Sequence, residues 1–167
     1  MDRRFPTGKF AFNPSPTAES RRQCIDTIGS FPAELKAAMT TAQIDRHYRE
    51  GGWTARQVVH HVADSHMNAF VRFRLALTED KPTIKPYKEA EWAKLADSTT
   101  EDPAVSVQIL EGLHRRWQRM LEAMTETDFA RAAIHPEHGP VTLDWFLQLY
   151  AWHGRHHIGH LKLTASV

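Results

Sequence analysis

The chain has 167 residues, and its 21 Lys and Arg against 20 Asp and Glu give a formal charge of +1. This balance argues against a nucleic-acid-binding protein, and the length suits one domain whose core needs no disulfide. The sole cysteine, Cys24, indicates a reducing compartment. The longest apolar run, residues 149–152, is too short to span a membrane, and the first residues lack the apolar stretch of a secretory signal. We therefore expect a cytoplasmic protein without a membrane or nucleic-acid partner.

The first half of the chain predicts two long helices. Residues 1–17 are rich in proline and are expected to form an extended lead-in. Apolar residues at helical spacing predict a helix over 18–39, with a kink or break at 29–32, where Gly29 and Pro32 lie. Thr54 precedes Gln57 by three residues, as in a capping box, and predicts the start of a second helix that ends near 77–78.

The second half predicts two more long helices after an irregular connection. Residues 79–101 break the helical pattern except for a short helical piece at 89–95, and residues 81–92 are either a lid carrying Tyr87 and Trp92 or a plain surface connection. Asp102 and the proline after it predict the next helix start. Residues 131–141 predict a turn or small hairpin, and Thr142 caps a last helix running to about 163. The pattern predicts an all-α four-helix bundle forming a single domain over residues 1–167.

The chain has 11 histidines, and seven of them lie in the two short segments 60–66 and 153–160. Histidine is the commonest metal ligand, and bundles build metal sites from facing helices. In the last helix, His153 and His157 lie one turn apart on or beside the apolar stripe, as two ligands of one ion should. His156 and His160 point progressively away from the core and are expected on a solvated flank, or else as neighbours that support the ligands.

The second helix leaves the third ligand open. His66 falls within the apolar face and His61 at its edge, so the helical geometry allows either, whereas His60 faces away. Three imidazole ligands would suit a divalent ion and leave a coordination position open for water, substrate or a thiolate. The geometry gives no role to the four remaining histidines: His47, His114, His135 and His138.

Other reactive or charged residues fit structural roles. Cys24 has no histidine at a readable spacing and is interpreted as a packing residue. Arg115 and Arg116 are interpreted as helix surface beside a core residue, Trp117. Asp64 faces away from the apolar stripe and is expected to be solvated, so the sequence identifies no general base.

Three segments carry a family resemblance. The motif WTARQVVHHVADSHMN at 53–68, together with residues 83–87 and the motif YAWHGRHHIGH at 150–160, resembles the DinB-like superfamily and especially its YfiT-type metal-dependent hydrolases. The resemblance covers nearly the whole chain. It implies a four-helix bundle with one divalent metal ion, zinc or nickel, bound by His61, His153 and His157, and so it selects His61 over His66. It also implies a homodimer.

Three functions are compatible with that ligand set. The first is a hydrolase that activates water on the metal to attack a small-molecule substrate. The second is a thiol S-transferase, in which the ion binds a low-molecular-weight thiol and presents it to an electrophile. The third is a bundle that binds metal without catalysis.

Overall fold

The computed structural model describes residues 2–165, and within them it confirms the predicted four-helix bundle. The long helices are α1 (Ala18–Met39), α2 (Ala55–Thr78), α5 (Pro103–Glu122) and α7 (Leu143–Lys162). Three short helices, α3 (Glu89–Trp92), α4 (Ala96–Thr100) and α6 (Glu126–Phe129), lie in the connections. Strands β1 (Ala132–His135) and β2 (Gly139–Thr142) form the small antiparallel hairpin before α7, with Ala132 opposite Thr142. None of the helices within residues 2–165 combines the length and apolar character needed to cross a membrane.

The long helices do not pack in the order in which the chain makes them. Both α1 and α2 pack chiefly on α5 and α7, so the two consecutive helices α1 and α2 lie diagonally across the bundle. A consequence is that α2 and α7, which carry the two histidine segments, are direct neighbours.

Side-chain caps set the helix starts. The side chain of Thr54 accepts a hydrogen bond from the Gln57 amide while the Gln57 side chain accepts one from the Thr54 amide, which confirms the predicted capping box. The Thr142 hydroxyl accepts from the amide of Trp145 at 3.2 Å and starts α7 where the sequence indicated. These caps fix the register of the two helices that carry most of the histidines.

Of the kink or break predicted at 29–32, the break is absent, because α1 runs through Pro32 without interruption. Burial of the flanking Phe31 and Leu35 against the rest of the bundle holds the helix together across the proline. Pro32 has no N–H, so the carbonyl of Ile28 loses the helical donor it would otherwise have. That carbonyl is instead 2.6 Å from Nδ1 of His114 on α5.

A histidine layer divides the apolar core into two clusters. One cluster lies towards the hairpin and is centred on Phe73, Trp117 and Phe146; the other includes Leu35 and Val62 and surrounds the opposite end. Between them, all four long helices contribute to a polar layer, made of the Ile28 carbonyl, His61, His66, His114, His153 and His157.

The lead-in packs along α7. The side-chain oxygen of Gln148 accepts from the Asn13 amide at 2.9 Å, and the Trp152 indole donates to the Gly8 carbonyl at 3.2 Å. The Phe10 ring lies edge-on against Trp145 at 5.8 Å. This segment therefore covers a face of α7 that the bundle helices leave open.

The connection after α2 is tied to the hairpin. The Ile84 amide donates to the Ile134 carbonyl at 3.0 Å, and the Ile134 amide donates to the Pro82 carbonyl at 2.9 Å. Beyond these bonds, Tyr87 and Trp92 contact one another with ring centroids 4.5 Å apart. The hydrogen bonds hold residues 82–84 of this connection against strand β1.

Candidate metal centre

Three histidine rings converge where α2 meets α7. Ring nitrogens of His61, His153 and His157 all lie within 4.8 Å of one another. The ring centroids are 5.4 Å apart for His61 and His153, 4.8 Å for His61 and His157, and 4.5 Å for His153 and His157. Two nitrogens on one tetrahedral zinc ion lie roughly 3.4 Å apart when each bond is about 2.1 Å, so small ring rotations would bring these three histidines to ligand geometry.

Burial keeps these rings in the form that binds metal. Removal from water lowers the pKa of His61 to about 4 and the pKa values of His153 and His157 well below the usual range, and the neighbouring histidines lower them further. All three imidazoles are therefore neutral at pH 7, and each offers a lone pair. The donor set fits a divalent ion of the zinc or nickel type.

His66, the other sequence candidate, does not join the three rings. Its Nδ1 lies 2.8 Å from Nε2 of His114, and its Nε2 lies 3.2 Å from Nδ1 of His153. Both nitrogens of His66 thus face other imidazoles. His114, which had no role in the prediction from sequence, is buried beside it. A signal for this existed, because His114 follows Leu110 by four residues and precedes Trp117 by three on the apolar stripe of α5.

The expectation of a solvated flank at His156 and His160 is wrong, because both side chains are buried. The ring of Tyr48 stacks on His160 at 4.0 Å, and Trp152 stacks on His156 at 4.5 Å. Phe5, from the lead-in, lies 6.2 Å from His156. The helical geometry placed these histidines outside the bundle stripe correctly, but the lead-in and the segment before α2 cover them.

These flanking rings form a second cluster of potential ligands. Ring nitrogens of His156, His157 and His160 also lie within 4.8 Å of one another. A neutral imidazole has one lone pair, so His157 cannot serve both clusters at once. His160 Nδ1 lies 3.3 Å from His157 Nδ1, whereas His156 Nδ1 and His160 Nε2 are buried without a hydrogen-bond partner among residues 2–165. A third cluster, formed by His135, Glu137 and His138, lies at the largely exposed hairpin turn.

Two more residues of α2, His60 and Asp64, lie on the side that faces away from α7. His60 faces away from the other histidines but is buried against α5, with Nδ1 2.8 Å from the Ser106 hydroxyl and Nε2 3.2 Å from the Glu101 carbonyl. Asp64 is half-buried, and its removal from water, with the nearby charge of Asp97, raises its pKa to about 6. His60 faces away as predicted, whereas the expectation of a solvated Asp64 is wrong because α4 and α5 cover this side of α2.

A cavity of about 410 Å³ opens onto the three rings. Its walls include aromatic side chains, two arginines and one carboxylate: Arg4, Tyr48, Arg49, Trp53, Glu89 and Trp152. Trp53 packs on His61 with ring centroids 4.7 Å apart. Glu89 is exposed to solvent as a residue, yet partial removal of its carboxyl from water raises its pKa.

The connection between α2 and α5 thus contributes to the cavity through Glu89, whereas the predicted lid residues Tyr87 and Trp92 do not line it. Glu89 was not identified from the sequence because a helix as short as α3 has too few residues to define which face points to the site. The interpretations of Cys24 as a packing residue and of Arg115 and Arg116 as helix surface hold. Cys24 packs against the core and burial raises its thiol pKa, and Arg115 and Arg116 are exposed beside buried Trp117.

Comparisons with known proteins agree with this architecture. A model of the DinB superfamily matches residues 33–161. The chain is 45% identical over 161 residues to YfiT of Bacillus subtilis, named a "putative metal-dependent hydrolase", with 94% of this chain and 90% of that protein covered. A Bacillus cereus protein of the same description is 48% identical, with 96% and 94% covered.

A solved structure of the Bacillus subtilis YfiT protein superposes with a TM-score of 0.93 at 43% identity, covering 96% of this chain and 94% of that one. It is described as a probable metal-dependent hydrolase with an unusual four-helix bundle topology. This chain shares the four-helix bundle of that structure.

Proposed function

The chain belongs to the DinB superfamily, and from that premise we propose that it is a metal-dependent hydrolase with one divalent ion bound by His61, His153 and His157. The observation that carries the proposal is the convergence of three neutral imidazoles, from two adjacent helices, at the end of a cavity. The names of its relatives point the same way.

The ligand set supports catalysis better than a purely structural role. Three protein ligands leave at least one position open, which is the pattern of catalytic sites, whereas structural sites are closed by a fourth protein ligand. When bound, a zinc or nickel ion would polarise a substrate carbonyl and lower the pKa of water towards about 7. The rest of the chemistry falls to the side chains around the cavity.

Glu89 is the proton acceptor in this proposal. It is the one carboxylate among the residues that line the cavity within the described chain. Partial removal from water raises the pKa of its carboxyl, which brings the group closer to the pH at which it works best as a general base. A carboxylate oxygen of Glu89 would take the proton from the attacking water and later return it to the leaving group.

The cavity walls indicate how a substrate is held. Trp53 and Trp152 offer flat apolar surfaces, and Arg49 brings a positive charge whose guanidinium lies over Tyr48. Nε of Arg49 is buried without a hydrogen-bond partner among residues 2–165. A small-molecule substrate with a polar or anionic group would satisfy that donor.

The metal site is tested by elemental analysis of untagged protein purified under metal-replete conditions. We expect about one equivalent of zinc or nickel per chain, and its loss in His153→Ala. The matched control is His138→Ala, which removes an exposed histidine of the hairpin cluster and should leave the metal content unchanged. The proposal would be contradicted if wild type contained no metal, or if His138→Ala lost the metal while His153→Ala kept it.

The reaction is tested with a panel of esters and amides, with and without low-molecular-weight thiols. Turnover in water alone supports hydrolysis, whereas turnover that requires a thiol supports S-transfer, and no turnover by metal-loaded protein supports a binding role. Glu89→Gln should lower kcat strongly. Glu91→Gln, on the same short helix but paired with Lys94, is the control and should not.

Three statements stay predictions from the sequence and its resemblance. They are residence in the cytoplasm, assembly as a homodimer and the choice between zinc and nickel.

A further inference from the structure

A series of three hydrogen-bonded imidazoles, called here the imidazole relay, crosses the core and ends on a backbone carbonyl. Nδ1 of His153 lies 3.2 Å from Nε2 of His66, Nδ1 of His66 lies 2.8 Å from Nε2 of His114, and Nδ1 of His114 lies 2.6 Å from the Ile28 carbonyl. The three imidazoles and the carbonyl come from α7, α2, α5 and α1 in turn, so the relay links all four long helices.

The Ile28 carbonyl determines the direction of every hydrogen bond in the relay. A carbonyl only accepts, so Nδ1 of His114 must carry a proton, and a neutral ring then has its lone pair on Nε2. That lone pair requires a donor from Nδ1 of His66, which leaves the lone pair of His66 on Nε2. Nδ1 of His153 must in turn donate, so the lone pair of His153 is on Nε2, the nitrogen that points away from His66.

The surroundings hold the three rings in this arrangement. His66 and His114 are each 1% exposed, so water does not compete for their nitrogens. Phe31 packs over both rings at 5.0 and 5.3 Å, and Trp117 lies edge-on to both at 5.8 and 5.5 Å. Burial lowers the pKa of His114 to about 4, which keeps this ring neutral at pH 7.

Pro32 explains why the carbonyl is available. The residue four positions after Ile28 would normally donate its N–H to that carbonyl, and proline has none to donate. The proline inside α1 therefore frees an acceptor within the bundle, directly opposite His114.

We propose that His66 and His114 are positioning residues that, anchored on the Ile28 carbonyl left free by Pro32, hold His153 in the tautomer whose Nε2 binds the metal. This inference rests on the proposed function for the identity of the ligand. Outer hydrogen-bond partners of metal-bound histidines orient the ring and raise its basicity, and their loss typically weakens metal binding about 10- to 100-fold.

The tautomers are tested first, on metal-free wild-type protein, by long-range proton–nitrogen NMR of the histidine rings. We expect protonated Nδ1 and unprotonated Nε2 in His114, His66 and His153. A proton on Nε2 of any of the three would overturn the relay. Because no metal is present, this result is independent of whether the protein is a hydrolase.

The positioning role is tested by the affinity for Zn²⁺ in competition with a chromogenic chelator. His66→Leu should weaken binding about 10- to 100-fold. His66→Gln keeps an amide oxygen that can accept from His153 and should recover most of that loss. His60→Leu is the matched control, because it removes a buried, hydrogen-bonded histidine of the same helix that does not face the site, and its affinity should equal that of wild type.

The outcomes separate the two proposals. Equal affinity in His66→Leu and His60→Leu, or no recovery in His66→Gln, overturns the positioning role while leaving the metal site intact. If wild type binds no Zn²⁺, the proposed function fails, and the NMR result still decides whether the relay exists.

Discussion

The two proposed ligands on α7 lie one helical turn apart, but their surroundings differ. His153 belongs to an inner arm, in which His66 and His114 continue into the core and every nitrogen beyond the ligand has a partner. His157 belongs to an outer arm with His156 and His160, which lies beneath the lead-in and has two buried nitrogens without partners among residues 2–165. The helices of the bundle build the inner arm, whereas a non-helical segment completes the outer one.

This difference indicates a division of labour at the site. The inner arm is preorganised, because its tautomers follow from one backbone carbonyl. The outer arm has unused hydrogen-bonding capacity at the side that borders the cavity, where water or substrate can enter. We therefore expect changes at His66 and His114 to alter metal affinity and core stability, and changes at His156 and His160 to alter mainly what lies over the site.

The largest expected effect comes from His157, which belongs to both clusters of potential ligands on α7. His157→Ala removes a member of each cluster. We therefore expect Zn²⁺ affinity to fall by more than about 100-fold, which exceeds the usual effect of losing a hydrogen-bond partner of a metal ligand. His61→Ala should leave weak residual binding, because His156, His157 and His160 remain together. Isothermal titration of both variants makes the comparison, and equal residual affinity would show that the outer cluster binds nothing.

The second effect is a pH dependence of the inner arm. Burial lowers the pKa of His114 from 6.5 to about 4, so the unfolded chain takes up this proton first as the pH falls. The contribution of neutral His114 to the free energy of unfolding is therefore complete above pH 6.5. It is lost progressively towards pH 4, which lowers the free energy of unfolding by up to about 3 kcal/mol. His114→Leu should flatten that part of the curve of unfolding free energy against pH, measured by urea denaturation with chelator present. A wild-type curve that stays parallel to the variant's would contradict it.

The third test compares two glycines of α7, one in each arm. A Cβ on Gly154 would lie 2.6 Å from the Phe31 ring, which is buried over His66 and His114. A Cβ on Gly159 would lie 2.8 Å from Pro6 of the lead-in. Overpacking a core lowers the free energy of unfolding by about 1–3 kcal/mol, whereas replacing a helical glycine by alanine raises it by up to about 1 kcal/mol.

Gly154→Ala should therefore destabilise the protein by about 1 kcal/mol in urea unfolding, whereas Gly159→Ala should be near neutral because the lead-in can move aside. Trypsin provides the second readout. Gly159→Ala should speed cleavage in the lead-in, at Arg4 and Lys9, and Gly154→Ala should not. The reverse pattern would mean that the outer arm is as tightly packed as the inner one.

The sequence was most informative where helical periodicity governs the structure. The i, i+4 spacing of His153 and His157 and the caps at Thr54 and Thr142 gave the helix faces and starts correctly, because these depend on local geometry. The choice of His61 over His66 came from the family resemblance, since the face angles allowed both. Its role as a ligand remains a proposal, now supported by the convergence of its ring with the α7 pair.

The sequence analysis failed where distant segments meet. The break expected at Pro32 is absent because packing outweighs a local preference, and the freed carbonyl has meaning only once α5 lies opposite α1. His156 and His160 were expected in solvent because an extended lead-in has no periodicity from which its docking on α7 could be inferred. Glu89 was missed because the single turn of α3 is too short to show which of its side chains faces α7.

The smallest expected effect is that of Asp64 on α2. Its contribution to stability depends on pH in the opposite direction to that of His114 in the inner arm. Removal from water raises the pKa of this carboxyl from 3.8 to about 6, so the folded state holds the proton more tightly than the unfolded chain. Its contribution to stability is therefore present below pH 3.8 and is lost as the pH rises through 6, in the same range in which His114 gains.

Asp64→Asn removes the buried charge and should raise the unfolding free energy at pH 8, by less than about 1 kcal/mol because the group is half-exposed. The gain should vanish near pH 4, where the wild-type carboxyl is already protonated. Asp97→Asn is the companion variant and should give a smaller gain, since the charge of Asp97 is the lesser cause of the shift. Urea denaturation at both pH values measures the difference, and a gain that is larger at pH 4 than at pH 8 would show that Asp64 is stabilised as a carboxylate by a partner on the neighbouring helices.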